Sequence, residues 1–94
     1  MVNYRDVVLD PAGSPVKDVQ ISFTDQSDNP VQVFNERGVV LVQPVLTNEL
    51  GEFEVWVRSG KYAAHLFKNK FNNGKSKRVE ITLFDPETVD YNVV

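Results

Sequence analysis

The chain has no cysteine, and among its 94 residues histidine, tryptophan and methionine each occur once. Without thiols, disulfide scaffolds, thiolate metal sites and cysteine nucleophiles are excluded. With His65 alone, no histidine pair for zinc can be assembled, so a metal site would need carboxylates alone. Asp25, Asp28 and Asn29 are of the right type for calcium, but their spacing does not match the twelve-residue calcium loop, and they read as a solvated loop. No metal and no cofactor is expected.

Long apolar runs are missing too. Eighteen consecutive apolar residues occur nowhere, and the opening MVNYRDVVLD lacks the basic, apolar and small-residue order of a secretory leader. Neither membrane insertion nor export is expected, although a processed mature chain would look the same. A formal net charge of -3 gives no general attraction to nucleic acid, which is not an expected partner.

What is present fits one globular domain. An apolar fraction of 41% and a charged fraction of 24% suit a folded protein of this length. The expected domain covers residues 1–84. Residues 85–94 hold one proline and several acids and amides, and are expected to form a polar tail or linker.

Apolar residues recur with a period of two, in short runs divided by Gly, Pro, Asn and Asp clusters. Residues 4–9 form a first expected strand, stopped by Pro11, Gly13 and Pro15. Val19, Ile21 and Phe23 alternate with polar residues in a second, and a polar loop at 25–30 ends it. Gly38 suits a left-handed position in a hairpin turn at 35–38, after which residues 39–42 return. Four consecutive aliphatics there cannot all face one core, so the strand is either covered on both sides or shows an apolar face to a partner. Phe53, Val55 and Val57 mark a further strand between turns at 48–51 and 58–61, and Thr47 is expected to bond its local turn. Another strand starts at Tyr62. Asn72, Asn73 and Gly74 give the strongest hairpin signal, and Val79, Ile81 and Leu83 the last strand. About seven short strands without a helix predict an antiparallel, Ig-like β-sandwich or a small Greek-key barrel.

The order Gly13, Pro15-Val16, Pro44-Val45, Thr47-Asn48, Gly51, Phe53, Val55, Gly60 and Tyr62 resembles prealbumin-like β-sandwich modules. Carboxypeptidase regulatory-like domains and the B-type repeats of bacterial collagen adhesins belong to this group. From Pro30 to Phe67 the chain is most similar to modules of tailed-bacteriophage fibre, tailspike and other virion proteins. That resemblance implies a structural part of a virion, whether a whole small protein or a domain of a long fibre, in contact with other virion proteins and with copies of itself. A trimer is implied if the fibre likeness holds. The alternative is a module of a bacterial surface or secreted protein. The Lys, Asn and acid of an isopeptide crosslink, frequent in the adhesin repeats, cannot be placed here, and self-crosslinking is not expected.

Catalysis is not expected. The serines lack any motif around them, and Glu52 with Glu54, two apart on a strand exterior, read as solvating charges. Lys68, Lys70, Lys75, Lys77 and Arg78 lie within eleven positions and form a candidate anion-binding patch, with lysine protection of a hairpin tip as the competing reading. Trp56 is out of phase with Phe53, Val55 and Val57, so it faces away from the core. If the turn at 58–61 closes a hairpin, Val57 faces Tyr62, and Trp56, His65 and Phe67 share one outer cluster. Either another segment folds over that cluster or, with Val40 and Val42, it forms an interface to a second subunit or a carbohydrate.

Overall fold

The computed structural model of the chain describes residues 1–68 and 76–84. These form six strands: β1 (Val2–Val7), β2 (Gln20–Asp25), β3 (Val45–Leu46), β4 (Glu52–Val57), β5 (Gly60–Phe67) and β6 (Lys77–Leu83). No helix occurs among the described residues. One antiparallel sheet pairs β1 with β4, and a second has the order β3-β2-β5-β6. The molecule is all-β and sandwich-like, with apolar residues of both sheets meeting in one core.

Alternation makes that core. Ile21 and Phe23 of β2, Val55 and Val57 of β4, and Ala64 of β5 are almost wholly buried, while Tyr4, Val79 and Ile81 pack on them from the flanking strands. Tyr4 stands edge-on to Phe53 at 5.5 Å and to Phe23 at 6.3 Å between ring centres, linking the sheets through three rings. Burial raises the pKa of the Tyr4 hydroxyl, and the nearby Asp6 carboxylate adds to the rise. Each large apolar side chain taken out of water contributes roughly 1.5–3 kcal/mol, so the period of two is the main determinant of the fold.

The first sheet extends beyond its two named strands. Phe34 and Trp56 exchange both backbone bonds at 2.8 Å, and Leu41 N–H donates to Val33 O at 2.9 Å, so residues 33–35 and 39–41 add a hairpin to β4 on the side away from β1. Its turn is the one expected at 35–38: Asn35 Oδ1 accepts from the amides of Arg37 and Val39, and Gly38 takes φ 78°. The strands around the expected turn at 72–74, β5 and β6, do pair antiparallel, but the turn itself lies outside the described residues. So does the segment 85–94.

The hairpin register expected between β4 and β5 is not formed. β4 pairs with β1, Val57 opposite Val2, whereas β5 pairs with β2 and β6, Tyr62 opposite Asp25 and Ile81. Residues 58–59 carry the chain from one sheet to the other, and Tyr62 Oη donates to Arg58 O at 2.7 Å across that corner. The inner faces of β4 and β5 therefore oppose each other across the core. Crossing buries Phe53, Val55 and Val57 against the second sheet, which a two-strand hairpin lying in one plane would not do.

Two polar side chains replace missing ladder partners. Thr47 is only 2% exposed, and its hydroxyl donates to Val16 O at 2.7 Å and accepts from Val19 N–H at 2.9 Å. Its partners are distant in sequence, not the local turn that was expected. Gln43 accepts from Phe23 N–H at 2.8 Å and donates to Val31 O at 2.6 Å, satisfying the edge of β2 between β3 and the bridge of Thr24 to Pro30.

Candidate interaction surface

The surface is built from the outer side of the first sheet. Phe53, Val55 and Val57 turn inward, so Glu52, Glu54 and Trp56 turn outward. Asn3 lies opposite Trp56 on β1, Phe34 opposite Trp56 on the hairpin, and Val40 opposite Phe34. Residues directly opposite share a face, their Cβ atoms about 4.5–5.5 Å apart. Asn3, Trp56, Phe34 and Val40 thus form a continuous cross-strand row.

Trp56 and Phe34 are half-buried, Val40 is 49% exposed, and Val42 farther along the same strand is 88% exposed. Only Leu41 of the four aliphatics at 39–42 packs on the core. This stretch therefore shows apolar surface to solvent. Asn3 Nδ2 donates to Glu54 Oε2 at 3.2 Å and to Val55 O at 3.4 Å, giving the row a polar border on the β1 side. The Met1 side chain comes close to the hairpin turn, with Cε 3.8 Å from where a Cβ on Gly38 would stand.

Beyond the row, β4 loses its hairpin neighbour. A groove of about 680 Å³ opens there, lined by Arg5, Leu41, Val45, Asn48, Phe53 and Glu54 among others. Asn48 takes up the edge at Glu52, accepting from Glu52 N–H through Oδ1 and donating its own N–H to Glu52 O, both at 3.0 Å. The groove continues the apolar row with polar walls.

The expected cluster is therefore divided. Trp56, Val40 and Val42 belong to the first sheet, while His65 and Phe67 lie on β5 of the other. The cause is the sheet crossing: side chains that would be neighbours in a hairpin point out of opposite sides of the body. Phe34 is the addition. Its signal was in the sequence, because Val31 and Val33 set the inward phase and Phe34, like Trp56, breaks it.

On the second sheet, polar groups answer one another. His65 Nε2 lies 2.8 Å from Thr24 Oγ1. Arg78, across from His65, donates to Glu80 at 2.8 Å and lies 3.7 Å from Asp28; the hydrogen bond it donates to Glu80 is the main cause of a rise in its already high pKa, and the charge of Asp28 adds to it. Phe67 stands at the far end of this face, in line with Gln20 and Leu46. Of the basic patch, Lys70 and Lys75 lie outside the described residues; Lys68 donates to Lys17 O, Lys77 starts β6, and Arg78 is already engaged with two carboxylates. Asp25 Oδ1 accepts the amides of Ser27 (2.8 Å) and Asn29 (3.0 Å), so this carboxylate closes its own loop. Among the described residues no group of three or more His, Cys, Asp or Glu side chains is placed to hold a metal ion.

No family model matches the chain, and no curated protein or solved structure matches it.

Proposed function

We propose that the protein is a non-enzymatic structural module of a bacteriophage virion, serving as a fibre connector, an attachment piece or a decoration, and working by burying surface against other virion proteins and its own copies. The observation that carries this reading is the outward row of Trp56, Phe34 and Val40, continued by Val42. A tryptophan and a phenylalanine side by side remove a large apolar area from water with few rotatable bonds, and aromatic residues dominate the centres of interfaces. The finer fold, an Ig-like and prealbumin-like sandwich of about seven strands, is part of the proposal. It is supported by two antiparallel sheets around one core and by the Tyr62 hydroxyl bonded back to Arg58 O at a corner between sheets, a feature shared with Ig-like sandwiches.

Sedimentation equilibrium over a wide concentration range tests it. Association, with a trimer as the expected species, should weaken on Trp56→Ala. A strict monomer at high concentration that also fails to bind neighbouring virion proteins sinks the reading.

A second reading is a glycan-binding module of a bacterial surface or secreted protein. The pair Asn3 and Glu54, bonded at 3.2 Å beside Trp56, favours it, because a sugar needs hydrogen-bonding groups next to a stacking ring. Binding on a glycan array that disappears with Trp56→Ala would support it over the first.

A further inference from the structure

We propose that the hairpin edge at 39–42 pairs with the same edge of a second copy of this chain, antiparallel, about a two-fold axis through Leu41. Resting on the reading that copies of the chain associate, this is a further contact, made by backbone groups at the side of the sheet and not by the outer face of Trp56 and Phe34. With the expected trimer it joins two trimers.

The edge is unpaired. Phe34 spends both its backbone groups on Trp56, while Leu41 N–H to Val33 O and Asn35 N–H to Val39 O tie the two arms of the hairpin. Val40, opposite Phe34, therefore turns its N–H and C=O away from the hairpin, and Val42, two residues on, follows the same alternation. None of these groups has a partner among the described residues.

The edge is also unguarded. Exposed edges are normally kept from pairing by charge or by shortness. β3 has only two residues, β1 carries Arg5 and Asp6, and β6 carries Lys77, Arg78 and Glu80. From Gly38 to Pro44 there is no charged residue. Val40 and Val42 are both exposed, so this edge meets a copy of itself with apolar side chains and no like charges opposite one another.

The flanking residues fix the register. With Val40 opposite Val42 of the second copy, and Val42 opposite its Val40, every free group of both edges is used, and Leu41 faces Leu41 at the axis. Sliding one way brings Gly38 opposite Val42, and the Gly38 N–H is already given to Asn35 O. Sliding the other way brings Pro44 opposite Val40, and proline has no N–H. Only the first register leaves nothing unpaired. It also runs the apolar row of Trp56, Phe34 and Val40 on into the second copy.

Two substitutions on the full chain, followed by native mass measurement and sedimentation, test the pairing. Val40→Glu alone and Val42→Lys alone should each weaken it about tenfold or more, because each sets a charge in an apolar junction. Mixing the two variants should restore it as pairs of one chain of each kind, since the register places the new carboxylate opposite the new ammonium. In the native chain the amides of Val40 and Val42 should be protected from exchange at high concentration and lose that protection on dilution. Association indifferent to both substitutions overturns the proposal, as does a mixture that forms no mixed pairs. Protection that survives dilution also overturns it, because the chain itself then covers the edge. Native chains that stop at pairs, with Val42→Lys monomeric, defeat the trimer and leave the pairing standing; trimers that neither substitution disturbs do the reverse.

Discussion

The two outer faces of the molecule are made of similar strands and carry opposite chemistry. On the β2–β5–β6 face, Thr24 answers His65, and Arg78 answers Glu80 and Asp28. On the β1–β4 face, the row of Trp56, Phe34 and Val40 is apolar, bordered on the β1 side by Asn3 and the Glu54 carboxylate it bonds. A face whose polar groups already satisfy each other gains little from a partner, since those bonds would have to be broken or matched. A face with half-buried aromatics and exposed valines gains from losing water. The difference indicates which side of the body would gain more from contact with a partner.

The comparison breaks most completely if the shared core fails, because both faces rest on it. Gly51 has φ 74°, and a Cβ there would stand 2.5 Å from Val8 O and 3.1 Å from Val16 N, all backbone contacts. Gly51→Ala should cost about 3 kcal/mol or more, from left-handed strain and overlap together, and thermal melting should show both faces lost in one transition. Thr47→Val comes next. It leaves Val19 N–H and Val16 O buried without partners, and a destabilisation of about 2 kcal/mol is expected in urea titration.

Two matched surface substitutions sharpen the comparison. Val40→Glu and Phe67→Glu place the same charge on opposite faces at partly exposed positions, 49% and 37% exposed. Both should leave stability within about 1 kcal/mol. Only Val40→Glu should weaken association measured by sedimentation; equal loss from Phe67→Glu would move the contact to the other face.

The smallest expected effect is in acid. The amide of Asn29, helped by that of Ser27, holds the Asp25 carboxyl below the usual carboxylate range despite the opposing effect of burial. A lowered folded-state pKa contributes stability above the unfolded value, and that contribution disappears as pH falls through the folded value. Stability should therefore drop slightly below about pH 4. Asp25→Asn keeps an acceptor for both amides, so its melting temperature should lose this part of the acid dependence.

Much of this was legible in the residues. The alternation of Val19, Ile21 and Phe23, of Phe53, Val55 and Val57, and of Val79, Ile81 and Leu83 placed three strands and their inner faces correctly. Asn35 and Gly38 placed a turn. The partner of β4 was not legible, because a short turn at 58–61 has the same local chemistry whether the chain folds back beside itself or crosses to another sheet. Only the demand that both inner faces be buried decides, and that demand belongs to the whole body. The same holds for Thr47 and Gln43: their partners, Val16, Val19, Phe23 and Val31, are distant in sequence, and no window around them shows the need. The candidate surface was half visible. Trp56, Val40 and Val42 came together, His65 and Phe67 were assigned to it through the wrong register, and Phe34 was overlooked.

The corner at 58–59 has a mechanical consequence. It brings Val57 and Gly60 together, and with them Val2 and Leu83, so the first and last described strands meet the same pole of the body. A pull between those two points would peel β1 from β4 one bond pair at a time, a weak response.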